Sequence, residues 1–216
     1  MVHSEAMKIR LQRMFKDCGL QYNQKYTIVG LFGFITLRMT NNWERKLQKT
    51  VDIDYAGNLA KAKFLVEARK HLKINLYGSD ENNEFGSKGL FDHQAIPHVL
   101  EGHFGLVWDS ETYPEMTGIF GDYEKYNSPF KASMYLAADQ PIIVSKTSAV
   151  APYVIKQGIG IVIDSLDQLP DIFDKLTPDE YKEMVINAKR IGELMRQMYN
   201  VKRAAFDMID KVILDM

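Results

Sequence analysis

From Val51 to Ile163 the chain alternates short apolar runs with helix-forming stretches, and this rhythm restricts the fold more than any other property of the sequence. The expected strands are 51–56, 74–77, 104–108, 141–144 and 160–163, with a short one near 88–91; the expected helices are 59–71, 95–101, 129–138 and 149–157. Strands joined through helices run parallel, because each crossover returns the chain to the same end of the sheet, and right-handed crossovers place helices on both faces. Runs such as Ile142-Ile143-Val144 agree, since a strand covered on both sides need not alternate apolar with polar residues. The predicted fold class is α/β, a doubly wound parallel sheet with C-terminal helices. Thr177-Pro178-Asp179-Glu180 is a capping box with Pro at the first helical position, and a further helix is expected over about 201–214.

Ahead of this unit, residues 4–18 carry Ala6, Met7, Leu11, Met14 and Phe15 at helical spacing, with Ser4 as cap and Gly19 as stop. Tyr26–Gly30 and Phe34–Leu37 are short strand or connector candidates. The polar Asn41-Asn42-Trp43-Glu44-Arg45-Lys46 reads as a hinge or linker. Met1 to Met7 reads as the end of a strand running into a helix, so the chain is expected to be the C-terminal part of a longer two-domain protein.

Composition narrows the function classes. Lys+Arg 27 against Asp+Glu 28 leaves a net charge of -1, so no global field would hold nucleic acid or an anionic membrane. The single cysteine, Cys18, excludes an internal disulfide and a Cys-rich zinc site, and the histidines lack metal-ligand spacing. No apolar run approaches the roughly 20 residues needed to cross a bilayer, and the N-terminus lacks the apolar core of a signal peptide. A cytoplasmic location is the expectation. There is no G-x-G-x-x-G, Walker A or G-x-S-x-G sequence.

In a doubly wound sheet, ligands bind outside the carboxyl ends of the strands, where loops meet helix N-termini. Four stretches lie at such ends. Gly57-Asn58 offers a tight turn and a cap, with Lys61 or Lys63 in reach of a phosphate; equally, Asn58 only caps and the lysines are solvated. Tyr77-Gly78-Ser79-Asp80 could flank a base or be ordinary turn chemistry. Phe91 could stack on a ring or belong to the core. In Tyr126-Asn127-Ser128-Pro129-Phe130-Lys131, aromatic and amide groups suited to a base, ribose or sugar precede a lysine in the first turn of a helix. Unpaired N–H groups and the dipole there favour a phosphate. The loop acids Asp109, Glu111, Glu115, Asp122 and Glu124 could include a base or a sugar ligand, but acids in a hydrophilic loop are usually just solvated, and no pair can be assigned among them.

The run Gly105-Leu106-Val107-Trp108-Asp109, the Tyr126–Lys131 turn, Ala137-Ala138-Asp139-Gln140-Pro141-Ile142-Ile143-Val144 and Gly158-Ile159-Gly160 resemble the C-terminal domain of bacterial GT-B glycosyltransferases. The resemblance is to enzymes that glycosylate serine-rich-repeat adhesins and to related galactofuranosyl- and glucosyltransferases of surface polysaccharide synthesis. It covers about the whole chain but half of such an enzyme. It implies a division into 1–45, the truncated end of an N-terminal acceptor domain with its linker; 46–198, a nucleotide-sugar-binding Rossmann-like domain; and 199–216, a C-terminal helix. The implied donor is a UDP-sugar, UDP-glucose or UDP-galactose, and the implied acceptor a glycan or glycoprotein. No metal or other cofactor is implied.

Carried over by position, Lys131 matches the lysine that contacts the diphosphate, Lys61 the place of a basic residue of similar duty, and Phe91 an aromatic lining the uridine site. Asn58, Tyr77, Tyr126 and Asn127 complete the nucleotide-sugar set. Departures are Met134 where many relatives carry a ribose-binding Glu, Asp139 where Gly is usual, and Tyr126 or Asn127 in place of a second acid. The rival readings are a non-catalytic nucleotide- or partner-binding module and an epimerase or phosphorylase of the same architecture. Apolar residues of the last helix, from Phe206 to Leu214, could pack on a missing domain, on a second copy in a homo-oligomer, or within this chain.

Overall fold

A computed structural model describes residues 1–21, 24–36, 47–80 and 84–214. Strands β1 (Ile53–Ala56), β2 (Ile74–Tyr77), β3 (Phe104–Val107), β4 (Ile142–Ser145) and β5 (Gly160–Ile163) form one sheet in the order β2-β1-β3-β4-β5. Every pairing is parallel. Nine α-helices accompany it among the described residues: α1 (Glu5–Asp17), α2 (Phe64–Ala68), α3 (Ile96–Val99), α4 (Gly118–Glu124), α5 (Phe130–Ala137), α6 (Ala151–Gln157), α7 (Leu169–Lys175), α8 (Pro178–Arg196) and α9 (Tyr199–Ile213).

The apolar strands bury both faces. Ile53 and Tyr55 of β1, Phe104 and Leu106 of β3, Trp108 just beyond it and Ile143 of β4 meet Phe64, Leu65, Leu169 and Tyr181 on one side. Val107, Ile142 and Val144 pack on the other side against α5, α6 and α8, through Ala132, Leu136, Val154, Ile191 and Met195. Gly105 makes the closest strand–helix contact possible: a Cβ there would lie 2.1 Å from the Tyr135 ring. With that ring pressed on β3, the Tyr135 hydroxyl accepts a 2.7 Å bond from the Ala56 N–H at the end of β1. Beneath it, buried Asp54 accepts from Asn75 (2.9 Å), the Gly102 N–H (2.7 Å) and Gln140 (2.8 Å), tying β1, β2 and the loop before β3 to the approach of β4.

Several boundaries differ from the expected ones for physical reasons. The helix expected over 59–71 is a 3-10 turn at Leu59–Lys61 followed by the short α2, and Asn58 makes no side-chain capping bond. Residues 88–91 form no strand, although Lys88 N–H donates to Leu76 O and Gly78 N–H to Gly89 O, which holds this segment against β2. Pro129 is the N-cap of α5 instead of lying in its first turn. Helix α4 had no counterpart among the expected helices, its residues having the look of a polar loop. Residues 24–36 are a connector: Val2 and Ile28 form an isolated bridge, and no strand runs over Phe34 to Thr36. Leu37, the proposed hinge at 41–46 and the division at 45/46 lie outside the described residues. Helices α1, capped by the Ser4 side chain, and α8, with its Thr177–Glu180 capping box, begin where expected. Helix α9 leaves Phe206, Ile209, Val212 and Ile213 exposed.

Candidate functional site

The strand order reverses direction of growth between β1 and β3, so the loops leaving their carboxyl ends diverge and open a crevice. A cleft of about 780 Å³ lies there. Its walls are Gly57 and Asn58 after β1, Tyr77 to Asp80 after β2, Phe91 and His93, Asp109 after β3, and Tyr123, Glu124, Asn127 and Lys131 from the α4–α5 region.

Lys131 stands in the first turn of α5, and its ammonium turns back toward the strand ends. It donates to the Asp109 carboxylate and, at 3.0 Å, to the Tyr55 hydroxyl, whose ring centroid lies 4.3 Å away; the Tyr55 hydroxyl in turn donates to Asp109 at 3.1 Å. Gly57 makes room for this group, since a Cβ there would come within 3.1 Å of Lys131 Cε. Burial disfavours the lysine's charge, but Tyr55, Asp109 and Glu124 outweigh it and hold the pKa above the ordinary lysine value. Burial also pushes the Tyr55 hydroxyl up to about 12, with Asp109 adding to the rise and Lys131 offsetting part of it. At neutral pH the lysine is therefore a charged ammonium and the Tyr55 phenol neutral, both held against Asp109.

Glu124, the last residue of α4, is 2 % exposed, and neither carboxyl oxygen has a hydrogen-bond partner among the described residues. Burial, reinforced by Asp109 and partly offset by Lys131, raises its pKa to about 8. The other loop acids differ: Glu111, Glu115 and Asp122 are exposed, and Asp122 pairs with Lys125 on the surface.

Of the residues expected to bind a nucleotide sugar, Lys131, Asn58, Tyr77, Phe91 and Asn127 line the one cleft, while Lys61 and Tyr126 do not. Lys61 is exposed, with its ammonium 5.4 Å from the Phe120 ring centroid, and Arg10 covers the Tyr126 ring at 4.3 Å. Tyr77 is buried, donating its hydroxyl proton to Val99 O at 3.1 Å, so its contribution to the wall is a ring edge. Asn127 is engaged by His3 through its side-chain oxygen, and Ser4 donates to Tyr126 O at 2.6 Å, so the N-terminal segment braces the α4–α5 turn. Sequence reasoning passed over Tyr55 and left Asp109 and Glu124 among solvated acids. The available signal was Asp109 directly at the end of an apolar strand. Among the described residues, no three His, Cys, Asp or Glu side chains are grouped to hold a metal ion, and no helix is long and apolar enough to cross a membrane.

The sequence model of the glucosyltransferase 3-like C-terminal domain matches residues 53–208, which covers the whole sheet and this cleft. The chain belongs to the glucosyltransferase 3-like C-terminal domain family. Relatives of this glycosyltransferase domain include the beta-1,6-galactofuranosyltransferase WbbI of Escherichia coli, 33% identical over 66% of this chain and 44% of the relative. Glucosyltransferase 3 of Streptococcus gordonii is 32% identical over 74% of this chain and 48% of its own length. The glucosyltransferase 3-like chain thus spans about half the length of these relatives. Among solved structures, the lipopolysaccharide glycosyltransferase WaaG superposes over 95% of this chain and 61% of its own with a TM-score of 0.57 at 12% identity, a likeness of fold. The doubly wound domain therefore shares the Rossmann-like fold of GT-B glycosyltransferases.

Proposed function

We propose that this chain is the donor-binding domain of a glycosyltransferase that transfers a hexose from UDP-glucose or UDP-galactose to a glycan or glycoprotein acceptor in the cytoplasm. The observation that carries the reading is the placement of Lys131: a lysine whose side chain is only 16% exposed, at the N-terminus of α5 and at the switch point of the sheet. A diphosphate there would meet a full positive charge and the unpaired N–H groups of the helix. As the glycosidic bond breaks, charge grows on the departing diphosphate, and preorganised positive groups lower that barrier. Asn58 and Asn127 supply amides for hydroxyls, and Phe91, against Tyr77 with ring centroids 6.1 Å apart, offers a face for the base. We assign the 46–198 segment to donor binding and leave Lys61 outside the first ring of contacts. No metal is assigned, the diphosphate charge being met by Lys131 and the helix.

Ligand-observed NMR with UDP, ADP and GDP, followed by a transfer assay with UDP-glucose and UDP-galactose, tests the proposal. UDP-selective binding is expected. Binding without transfer would favour a nucleotide-binding module, and no UDP binding would refute both.

A further inference from the structure

The donor-binding reading gives no role to the buried acid of the cleft, Glu124. Glu124 is buried and faces the cleft, and its carboxyl lies against Asp109, an arrangement that two ionised acids could not share. Ionising a buried carboxyl in that condition is strongly disfavoured, so it stays neutral or finds a partner. The groups facing it are Asp109, beyond β3, and Lys131, of α5; Tyr55 of β1 reaches both of these, and His3 approaches the neighbouring turn through Asn127. Its backbone is fixed from another side, since the Ala149 N–H donates to Glu124 O at 3.0 Å, so the side chain cannot leave by a small shift of α4.

Count the charges when a nucleotide sugar enters. Lys131 brings one positive charge, Asp109 one negative and the diphosphate two negative, so the centre becomes more negative. An ionised Glu124 would add a further uncompensated charge in a poorly solvated place.

We propose, resting on the donor-binding reading above, that Glu124 is a positioning residue that must carry a proton while the diphosphate is held, taking one up from solvent wherever it is ionised in the free chain, so that Lys131 can turn from Asp109 to the phosphates without a second carboxylate charge beside it. Donor capture is then linked to proton uptake. The neutral acid also gains an O–H that can donate to the incoming phosphate or to a sugar hydroxyl. The sign follows from the raised proton affinity. Well below pH 8 the carboxyl is already neutral and the donor binds at full strength; as pH rises through 8 a growing fraction must be protonated first, and the apparent affinity falls by that fraction.

The test is calorimetric titration of the whole chain with UDP-glucose, whose diphosphate is esterified on both sides and keeps a fixed charge in this range. At about pH 6.5 and about pH 9, wild-type affinities should differ by about tenfold, and at about pH 8 two buffers of different ionisation enthalpy should report uptake of a substantial fraction of a proton. In Glu124→Gln, a neutral side chain of the same shape, the affinity ratio should fall within about twofold and the proton uptake should vanish. If the variant fails to fold, the wild-type proton count decides alone. Binding with no proton uptake, or a pH dependence that survives in Glu124→Gln, overturns this inference and leaves the donor-binding reading standing. No binding at either pH overturns the donor-binding reading, and the inference falls with it.

Discussion

Lys131 donates to the carboxylate of Asp109, so the cation best placed to receive a diphosphate is already held by a carboxylate of the same chain. The two residues reach one another from different elements: Lys131 from the first turn of α5, Asp109 from the carboxyl end of β3. Asp109 keeps the ammonium charged and aimed at the strand ends, and a donor must compete with it. Asp109→Asn should therefore tighten binding of UDP-sugars, by about tenfold if the competing charge is worth about 1.4 kcal/mol. Fluorescence or calorimetric titration of this variant beside wild type checks the sign, and weaker binding in Asp109→Asn would mean that the carboxylate aids the donor.

Glu124 should also leave a mark on stability without ligand. Its folded pKa of about 8 lies above the ordinary glutamate value, so the native state binds the proton more tightly than the unfolded chain. The resulting stabilisation is complete below about pH 4.3 and fades as pH rises toward 8, above which it is lost. Glu124→Gln should be more stable than wild type at pH 9, by about 1 to 3 kcal/mol, with the advantage shrinking at pH 6. Urea denaturation at the two pH values measures this, and an equal difference at both would deny that the carboxyl is held neutral.

Asp139 occupies a place that favours glycine. Its φ is 56°, and its carboxylate accepts from Arg196 of α8 at 2.7 Å, while the same guanidinium nitrogen donates to Ala137 O at 2.7 Å. The ion pair offsets the strain of the left-handed backbone and ties α5 to α8. Asp139→Ala keeps the strain and loses the pair, so it should cost about 1 to 3 kcal/mol. Asp139→Gly, which relaxes the backbone while losing the same pair, should be the milder change by thermal melting.

Gly105 gives a steric prediction. Gly105→Ala puts a methyl 2.1 Å from the Tyr135 ring, which must withdraw from β3 and give up the bond from the Ala56 N–H. A loss of about 2 to 4 kcal/mol in chemical denaturation is expected, from overpacking plus an unsatisfied buried amide. Because Ala56 immediately precedes Gly57, UDP affinity should fall as well.

The sheet was legible in the sequence because β4 and β5 carry short runs of apolar residues, Ile142 to Val144 and Ile161 to Ile163, and α8 because Thr177 to Glu180 is a self-contained start signal. Lys131 was legible as the one basic residue just after a proline at the start of an otherwise largely buried helix. Glu124 was not. Its helix, Gly118-Ile119-Phe120-Gly121-Asp122-Tyr123-Glu124, has two glycines and low propensity, and it is held by bonds to residues outside it, the Ile119 N–H donating to the Glu111 carboxylate and the Ala149 N–H to Glu124 O. A segment whose helix is supplied by tertiary contacts reads as a polar loop, and an acid in a polar loop reads as solvated. The interruption between Leu59 and Phe64 was hidden likewise, because Leu59, Ala62, Phe64, Leu65 and Ala68 are all buried and that pattern also fits an unbroken helix.

The central claim is that Lys131 receives the diphosphate of a uridine nucleotide, and calorimetric titration of UDP into wild type and Lys131→Ala tests it most directly. A charge-assisted bond of about 1.5 to 3 kcal/mol predicts that UDP binds wild type and binds the variant about 10- to 150-fold more weakly. No heat of UDP binding in wild type, or the same affinity in Lys131→Ala, would contradict it.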